Sequence, residues 1–324
     1  MRRDTPGFDL AALTAAAAGR PLTPACRIAI AVSGGPDSTA LLALAAQAFA
    51  GQITALTVDH GLAEGSANVC ASVARQCAAR GIPHALLTWT GDKPTANIQA
   101  LARAARYRLM GGWCAAHGHG LLLTAHHADD QAETLLMRMA RGSGSGGLAG
   151  IRSRRTLADD VVLVRPLLAL RRAELDRFAS GWQVFADPAN RSARFDRTAA
   201  RQLLAATPWL SAPHIADAAA HLSQAAAALD WAEDRAWAGA ARREREALLL
   251  DVAGLPAELV HRLLRRAITA MAPGSVARGS DIARLAARLG TGLSGTVAGV
   301  KAMPGPPWRF ILAPARRNSA RNAP

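Results

Sequence analysis

Residues 31–38 read Ala-Val-Ser-Gly-Gly-Pro-Asp-Ser and follow directly on the apolar run Arg27-Ile28-Ala29-Ile30. This pattern predicts a strand that turns on two glycines into a helix starting near Asp37. Such a turn aims a row of backbone N–H groups outward, with the positive end of the helix dipole behind them, and so forms an anion nest. Glycine suits the turn because phosphate must approach bare backbone and because such turns use positive φ. No lysine sits in the loop, so it is not the G-x-x-x-x-G-K-S/T loop that grips β- and γ-phosphates.

The rest of the first half alternates in the way this turn requires. Ile28–Val32, Ile53–Val58, His84–Trp89 and Leu121–Thr124 are short apolar runs, as expected of strands buried on both faces. Helical stretches lie between them at Ser38–Phe49, Ala67–Arg80 and Ile98–His117. Val161–Val164 reads as one more strand, stopped by Arg165-Pro166. The expected fold is α/β, a doubly wound parallel sheet with right-handed crossovers. Ligands of such sheets bind at the carboxyl ends of strands. The 31–38 turn, Asp59-His60-Gly61 and Ala125-His126-His127 all fall there, and are expected to line one crevice.

At 324 residues the length fits two domains. Thr207-Pro208-Trp209 and Ala212-Pro213 punctuate the chain, dividing a first domain (1–205) from a second, mostly helical one (206–324). In the second, 214–246 reads as a long Ala-rich helix, with further helices at Pro256–Met271 and Ser280–Leu289. Thr296–Met303 and Trp308–Ala313 read as a terminal hairpin. Arg316–Pro324 is basic and polar and is expected to be disordered. The four cysteines, Cys26, Cys70, Cys77 and Cys114, form no C-x-x-C pair and read as buried thiols of a reducing, cytoplasmic compartment. Asp4 and Asp9 interrupt what would otherwise resemble a signal peptide, and no run suits a bilayer span.

The net charge of +14 is unevenly placed. Residues 1–135 hold 10 basic against 9 acidic side chains, residues 136–205 hold 13 against 6, and residues 206–324 hold 15 against 9. The part that carries the Gly34-Gly35 turn is nearly neutral and the excess follows it. A polyanion larger than a nucleotide fits that surface, although an Arg-rich composition alone could also produce it.

A second chemical cluster runs from His126 through His127, Asp129, Asp130, Gln131 and Glu133 to Thr134. It follows a strand and opens a helix. Asp130 and Glu133 are three apart and share a helical face. Carboxylates near a helix start also serve as plain capping and dipole partners. Two carboxylates at a crevice suit an ammonium group or a magnesium ion. A zinc reading of His-His-x-Asp-Asp lacks a second ligand cluster.

Ser-Gly-Gly-x-Asp-Ser resembles the PP-loop of the ATP pyrophosphatases (adenine nucleotide α-hydrolase-like proteins), which hold the pyrophosphate of ATP and use its α-phosphorus. Six segments accompany it, in order: Thr57–Leu62, Asn97–Tyr107, His126–Thr134, Arg141–Gly150, Arg165–Leu168 and Asp187-Pro188-Ala189-Asn190. Together they resemble the tRNA(Ile)-lysidine synthetase family, strongly over residues 25–205 and more loosely beyond, as a short form. Ala63, where the pattern often has Arg, and Asp196-Arg197-Thr198 depart from it.

The resemblance implies a ligase that joins L-lysine to cytidine 34 of a tRNA(Ile) bearing a CAU anticodon, through an adenylated base. It implies that Ser33, Gly34, Gly35, Pro36, Ser38 and Asp59 bind ATP, and that Asp37 binds ATP and acts with Mg2+ on the departing pyrophosphate. Asp130 and Glu133 are the implied lysine ligands, and His126 faces the adenylated base. Arg106 is expected near the α-phosphate, with a surface salt bridge as the competing account. Arg141–Gly150 is expected to be a mobile cover. A tRNA thiolase and a non-catalytic RNA-binding protein are the competing readings; the absence of C-x-x-C weighs against the first, and the intact loop with Asp37 against the second. Oligomeric state stays open, a homodimer included.

Overall fold

The computed structural model describes residues 8–62, 65–91, 96, 98–185 and 196–314. Ala63, Asn97, Asp187–Asn190 and 316–324 lie outside them. The chain divides into two compact units, Met1–Ser223 and Gln224–Pro324.

The first unit opens on α1 (Leu10–Ala18), where the sequence carries only an Ala-rich stretch. Asp9 accepts a hydrogen bond from Ala12 N–H at 3.0 Å, and Leu10, Thr14 and Ala18 fall on one buried face. Then come β1 (Ile28–Ala31), α2 (Pro36–Ala48), β2 (Ile53–Asp59), α3 (Ser66–Ala78), β3 (His84–Thr88), α4 (Ile98–Ala116), β4 (Leu121–Leu123) and α5 (Ala128–Ala140). Short α6 (Ser145–Leu148) leads to β5 (Arg154–Ala158) and β6 (Val161–Val164). Next are α7 (Arg172–Leu175), a 3-10 turn at Asp176–Ala179, α8 (Asp196–Ala206) and α9 (Ala212–Ala240).

The sheet order is β3-β2-β1-β4-β6-β5, parallel throughout except for β5, which is antiparallel to β6. The doubly wound sheet expected from the alternation is therefore present, with the reversal of strand order between β1 and β4. Side-chain alternation explains why these strands read as unbroken apolar runs. Ile28, Ile30, Leu121 and Leu123 point into a core shared with α1 and α2. Ala29 and Leu122 point the other way, with Leu56 and Leu163, onto Tyr107 and Met110 of α4. Edge strand β5 was not expected: Arg154-Arg155-Thr156 is exposed and polar, so hydropathy gives it no signal.

The two units divide within α9, beyond the Thr207-Pro208 punctuation. In the second unit the expected hairpin is part of a larger antiparallel sheet. Its order is β7 (Ala241–Glu244), β8 (Ala247–Leu250), β11 (Trp308–Leu312), β10 (Val300–Met303), β9 (Gly295–Val297). Helices α10 (Ala257–Met271) and α11 (Gly279–Gly290) cover it, burying Leu248, Leu250, Leu263, Ile268, Leu285 and Phe310. The helix expected over 214–246 stops at Ala240 because Ala241–Glu244 pairs with β8. Its three charged residues are exposed on the sheet edge, where charge discourages further strand pairing.

Gly34 shows how tightly the first turn is specified. Its φ is +82°, and an added Cβ would stand 2.6 Å from Val69 Cγ1 of α3. Gly34→Ala is expected to cost about 1–3 kcal/mol, lowering Tm by about 2–4 °C per kcal/mol. Thermal denaturation checks this; an unchanged Tm would show that the turn and α3 relax freely.

Candidate active site

The 31–38 turn is held by its own hydroxyls. Ser38 Oγ donates to Gly35 O at 3.0 Å and accepts from Ser33 N–H at 3.1 Å, and the two seryl oxygens lie 3.1 Å apart. Phe185 N–H donates to Gly34 O at 2.9 Å, closing the loop from outside. Pro36 stands at the first turn of α2, where its missing N–H costs nothing. Gly35 has an ordinary φ of −75° and room for a Cβ, so neither strain nor packing demands glycine there.

Asp37, in the first turn of α2, faces His127, and this contact organises the site. His127 is buried between three carboxylates. Its Nε2 lies 3.8 Å from Asp37 Oδ1 and 3.6 Å from Asp130 Oδ2, and its Nδ1 lies 3.6 Å from Asp129 Oδ2. Burial alone would lower its pKa, but the nearby carboxylates of Asp129, Asp37 and Asp130 override this and push it up to about 10. His127 is therefore an imidazolium at neutral pH. For Asp37, burial raises the pKa, but His127 and then Arg172 and Arg201 outweigh it, so the group titrates below its usual range. Asp129 behaves likewise through His127, the Arg172 N–H at 2.8 Å and Arg171. Arg172 also reaches Asp37 at 3.4 Å.

The helical face shared by Asp130 and Glu133 has two different environments. Asp130 Oδ2 accepts from His127 N–H at 3.3 Å. Glu133 is buried and paired with Arg201 at 2.8 Å and Arg197 at 3.2 Å, both from α8. Burial still raises the Glu133 pKa against the arginines. The expected lysine ligand thus already holds two cationic side chains. His126 turns away from His127. Its Nε2 accepts from Arg103 at 3.2 Å, which leaves Nδ1–H to donate to Thr124 Oγ1 at 3.0 Å. Burial, then Arg165, Arg103 and Arg197, depress its pKa well below the usual value, so it is neutral.

Two expectations change at the rim. Arg106 donates to His60 Nε2 at 3.3 Å, so its side chain is turned to the end of β2. Asp59 Oδ1 accepts from Gly61 N–H at 2.9 Å and Ser66 Oγ at 2.8 Å, fixing the turn into α3. The Arg141–Gly150 loop, expected to be a mobile cover, is fastened to α5. Gln131 bonds both backbone groups of Ile151, and Arg138 donates to the carbonyls of Gly147 and Gly150. Gly150 has φ +64°, and a Cβ there would meet Gln131 Oε1 at 2.5 Å.

A family model described as a PP-loop domain matches residues 11–207. The tRNA(Ile)-lysidine synthase of Zymomonas mobilis is 40% identical over 298 residues, covering 90% of each chain. That of Novosphingobium aromaticivorans is 40% identical over 306 residues, covering 93% of each. This chain belongs to the tRNA(Ile)-lysidine synthase family. Among solved structures, the U34-tRNA thiolase NcsA of Methanococcus maripaludis, described with its 4Fe–4S cluster, superposes with a TM-score of 0.53 at 16% identity, covering 66% of this chain and 78% of that one. That likeness is one of fold. In this lysidine synthase family member Cys70, Cys77 and Cys114 are buried, and burial pushes the Cys77 and Cys114 thiols up to about 11 and about 12. Such thiols are poor thiolates, and among the described residues no group of three or more His, Cys, Asp or Glu side chains could hold a metal.

Arg171, Arg172 and Arg201 were not singled out from sequence; His127 was named only as a member of the His126–Thr134 cluster, and Arg197 only as a departure from the family pattern. The His-x-Asp-Asp spacing carried the His127 signal, since residues two and three after a helix-capping histidine point back at it. The arginines come from distant segments and carried none.

The raised pKa of His127 makes stability depend on pH. The unfolded imidazole titrates near 6.5, so its contribution is complete below about pH 6.5 and is lost as pH rises towards about 10. In protein freed of nucleotide and metal, Tm should fall from pH 6.5 to 10 by more than in His127→Gln. Parallel pH profiles for the two proteins would contradict the imidazolium assignment.

Proposed function

We propose that this chain joins L-lysine to C2 of cytidine 34 in the CAU anticodon of tRNA(Ile), consuming ATP and releasing AMP and pyrophosphate. The observation that carries this reading is the sharing of one imidazolium: Asp37 of the phosphate turn and Asp130 of α5 both lie within 4 Å of His127 Nε2. A triphosphate on the turn and an ammonium on Asp130 would then flank a common point.

The reaction has two steps. The cytosine O2 attacks the α-phosphorus, the P–O bond to pyrophosphate breaks, and the base becomes adenylated at C2–O. The ε-amine of lysine then attacks C2, a C–N bond forms, and the C2–O bond breaks with AMP as leaving group. Ser33, Gly34, Gly35 and Ser38 present the backbone N–H groups and hydroxyls of the turn to the pyrophosphate, Pro36 sets the backbone at the start of α2 beside it, and Asp59 supports the nucleotide end at β2. Neutral His126, with Nε2 turned to Arg103, faces the base. Arg106 approaches the α-phosphate only if it leaves His60.

Asp130 holds the lysine ammonium, and Glu133 joins it by exchanging an arginine for the substrate. Mg2+ fits Asp37: the ion takes one or two carboxylates and completes its shell with phosphate oxygens and water, and Asp37 Oδ1 is buried without a hydrogen bond among the described residues. Bound there, Mg2+ would neutralise charge on the departing pyrophosphate. Residues 206–324, with 15 basic against 9 acidic side chains, supply tRNA-binding surface. No helix among the described residues is long and apolar enough to cross a membrane, and we place the protein in the cytoplasm, where its substrates are.

The test is to incubate CAU-anticodon tRNA with ATP and labelled lysine, digest the RNA, and weigh nucleoside 34. Lysine-dependent gain of mass at that nucleoside is expected; incorporation of sulfur, or no change, would overturn the reading. Asp37→Ala should abolish pyrophosphate release while leaving tRNA affinity within about twofold, because Asp37 is confined to the turn. Asp130→Asn should raise the lysine requirement about tenfold to hundredfold, as a charge-assisted hydrogen bond is worth about 1.5–3 kcal/mol. An unchanged lysine requirement with a lowered Tm would mean that Asp130 only caps α5.

A further inference from the structure

Arg165 is an arginine that the proposed reaction does not use. It directly follows β6 and is 5% exposed. One amino group donates to Arg152 O at 2.6 Å, the guanidinium shares a hydrogen bond with Tyr107, and Nε has no hydrogen-bond partner among the described residues. Buried guanidinium N–H groups ordinarily find acceptors, so a bare one asks what it is aimed at.

Two more arginines gather at the same ring. Arg103 of α4 and Arg155 of β5 lie 5.1 and 5.4 Å from the Tyr107 centroid, and both are exposed. Among the described residues none of the three is ion-paired to a carboxylate. The contrast with the neighbouring crevice is sharp. There Arg171, Arg172, Arg197 and Arg201 each pair with Asp129, Asp37 or Glu133. The positive charge about Tyr107 is strong enough to help suppress protonation of His126.

The position of this cluster follows from topology. Moving outward from the phosphate turn after β1, the carboxyl ends of β4 and β6 carry His126 and Arg165. Arg155, at the start of antiparallel β5, pairs with Leu163 beside the same end. Strands lie about 4.8 Å apart, so Arg165 is about two strand spacings, roughly 10 Å, from β1, and Arg155 is one further. The row leads away from the triphosphate site, past the histidine assigned to the base, and out to the sheet edge.

We propose that Arg103, Arg155 and Arg165 form a phosphodiester-binding site that holds the RNA backbone flanking the target base. The proposal rests on the assigned tRNA substrate. The shared chemistry is a phosphate-ester anion, and the alternative source is ATP itself. Distance from the phosphate turn and an open end at the sheet edge favour a polymer. Arg165 supplies a fixed donor at the closed end; Arg103 and Arg155 supply charge at the mouth.

The test uses the full chain with Arg103→Gln and Arg155→Gln, singly and together, since both side chains are exposed and their removal should spare folding. Affinity for the CAU-anticodon tRNA is measured against salt, and ATP affinity by calorimetry. The slope of log K against log salt should shrink by about 0.7–0.9 for each phosphate that is no longer neutralised. ATP affinity should stay within about twofold. Arg165→Lys, which keeps charge but removes the fork, should weaken tRNA binding without changing the slope. An unchanged slope in the double variant would overturn the site, as would weakened ATP binding with intact tRNA binding. Lysidine formation by the wild-type preparation is scored separately: its absence refutes the function reading, whereas its presence with an unchanged slope refutes only this site.

Discussion

An imidazolium enclosed by carboxylates holds the site together. His127 caps α5, and its ring touches Asp37 on α2, Asp129 and Asp130. Three negative charges in a partly buried space would repel one another and shift towards protonation. The charged ring lies within 4 Å of all three and holds Asp37 and Asp129 below their usual range, and Arg171 and Arg172 add positive charge at Asp129 and Asp37. The sheet makes this meeting unavoidable. β1 and β4 are hydrogen-bonded neighbours, so the turn after one and the helix start after the other must share a crevice.

The same electrostatic reading separates two surfaces. Around β1 and α5, carboxylates and arginines are matched, which suits small substrates that bring their own charges and exchange with resident partners. Glu133 shows the matching at its tightest, with two arginines on a buried carboxylate. Around β6 and β5, Arg103, Arg155 and Arg165 have no carboxylate partners among the described residues, which suits a polyanion. Net charge alone does not distinguish these arrangements: each draws residues both from the nearly neutral 1–135 segment and from the basic 136–205 segment.

Much of the catalytic unit was legible because its signals are local. Gly34-Gly35 between an apolar run and a helix implies a phosphate turn whatever surrounds it, and the buried strands announced themselves as Ile, Leu and Val runs. What was not legible depended on partners distant in sequence. Arg201 meets Glu133 across 68 residues, so the shared face of Asp130 and Glu133 gave no warning that one carboxylate was already engaged. The Arg141–Gly150 segment looked loose because it is rich in glycine, yet Arg138 and Gln131 fasten it through backbone groups, which sequence does not display. Edge strands β5 and β7 escaped notice for a different reason: each is mostly polar and exposed, so periodicity had nothing to register.

One crevice, on this reading, adenylates the base at its phosphate end and then accepts lysine at its acidic end. A pulse and chase separates the two steps: CAU-anticodon tRNA and α-labelled ATP are mixed without lysine, sampled, and then chased with lysine. Label on the tRNA with stoichiometric pyrophosphate release is expected before the chase, and conversion of that label to AMP after it. Absence of labelled tRNA and of pyrophosphate until lysine is added would contradict the two-step order and, with it, the division of the crevice between Asp37 and Asp130.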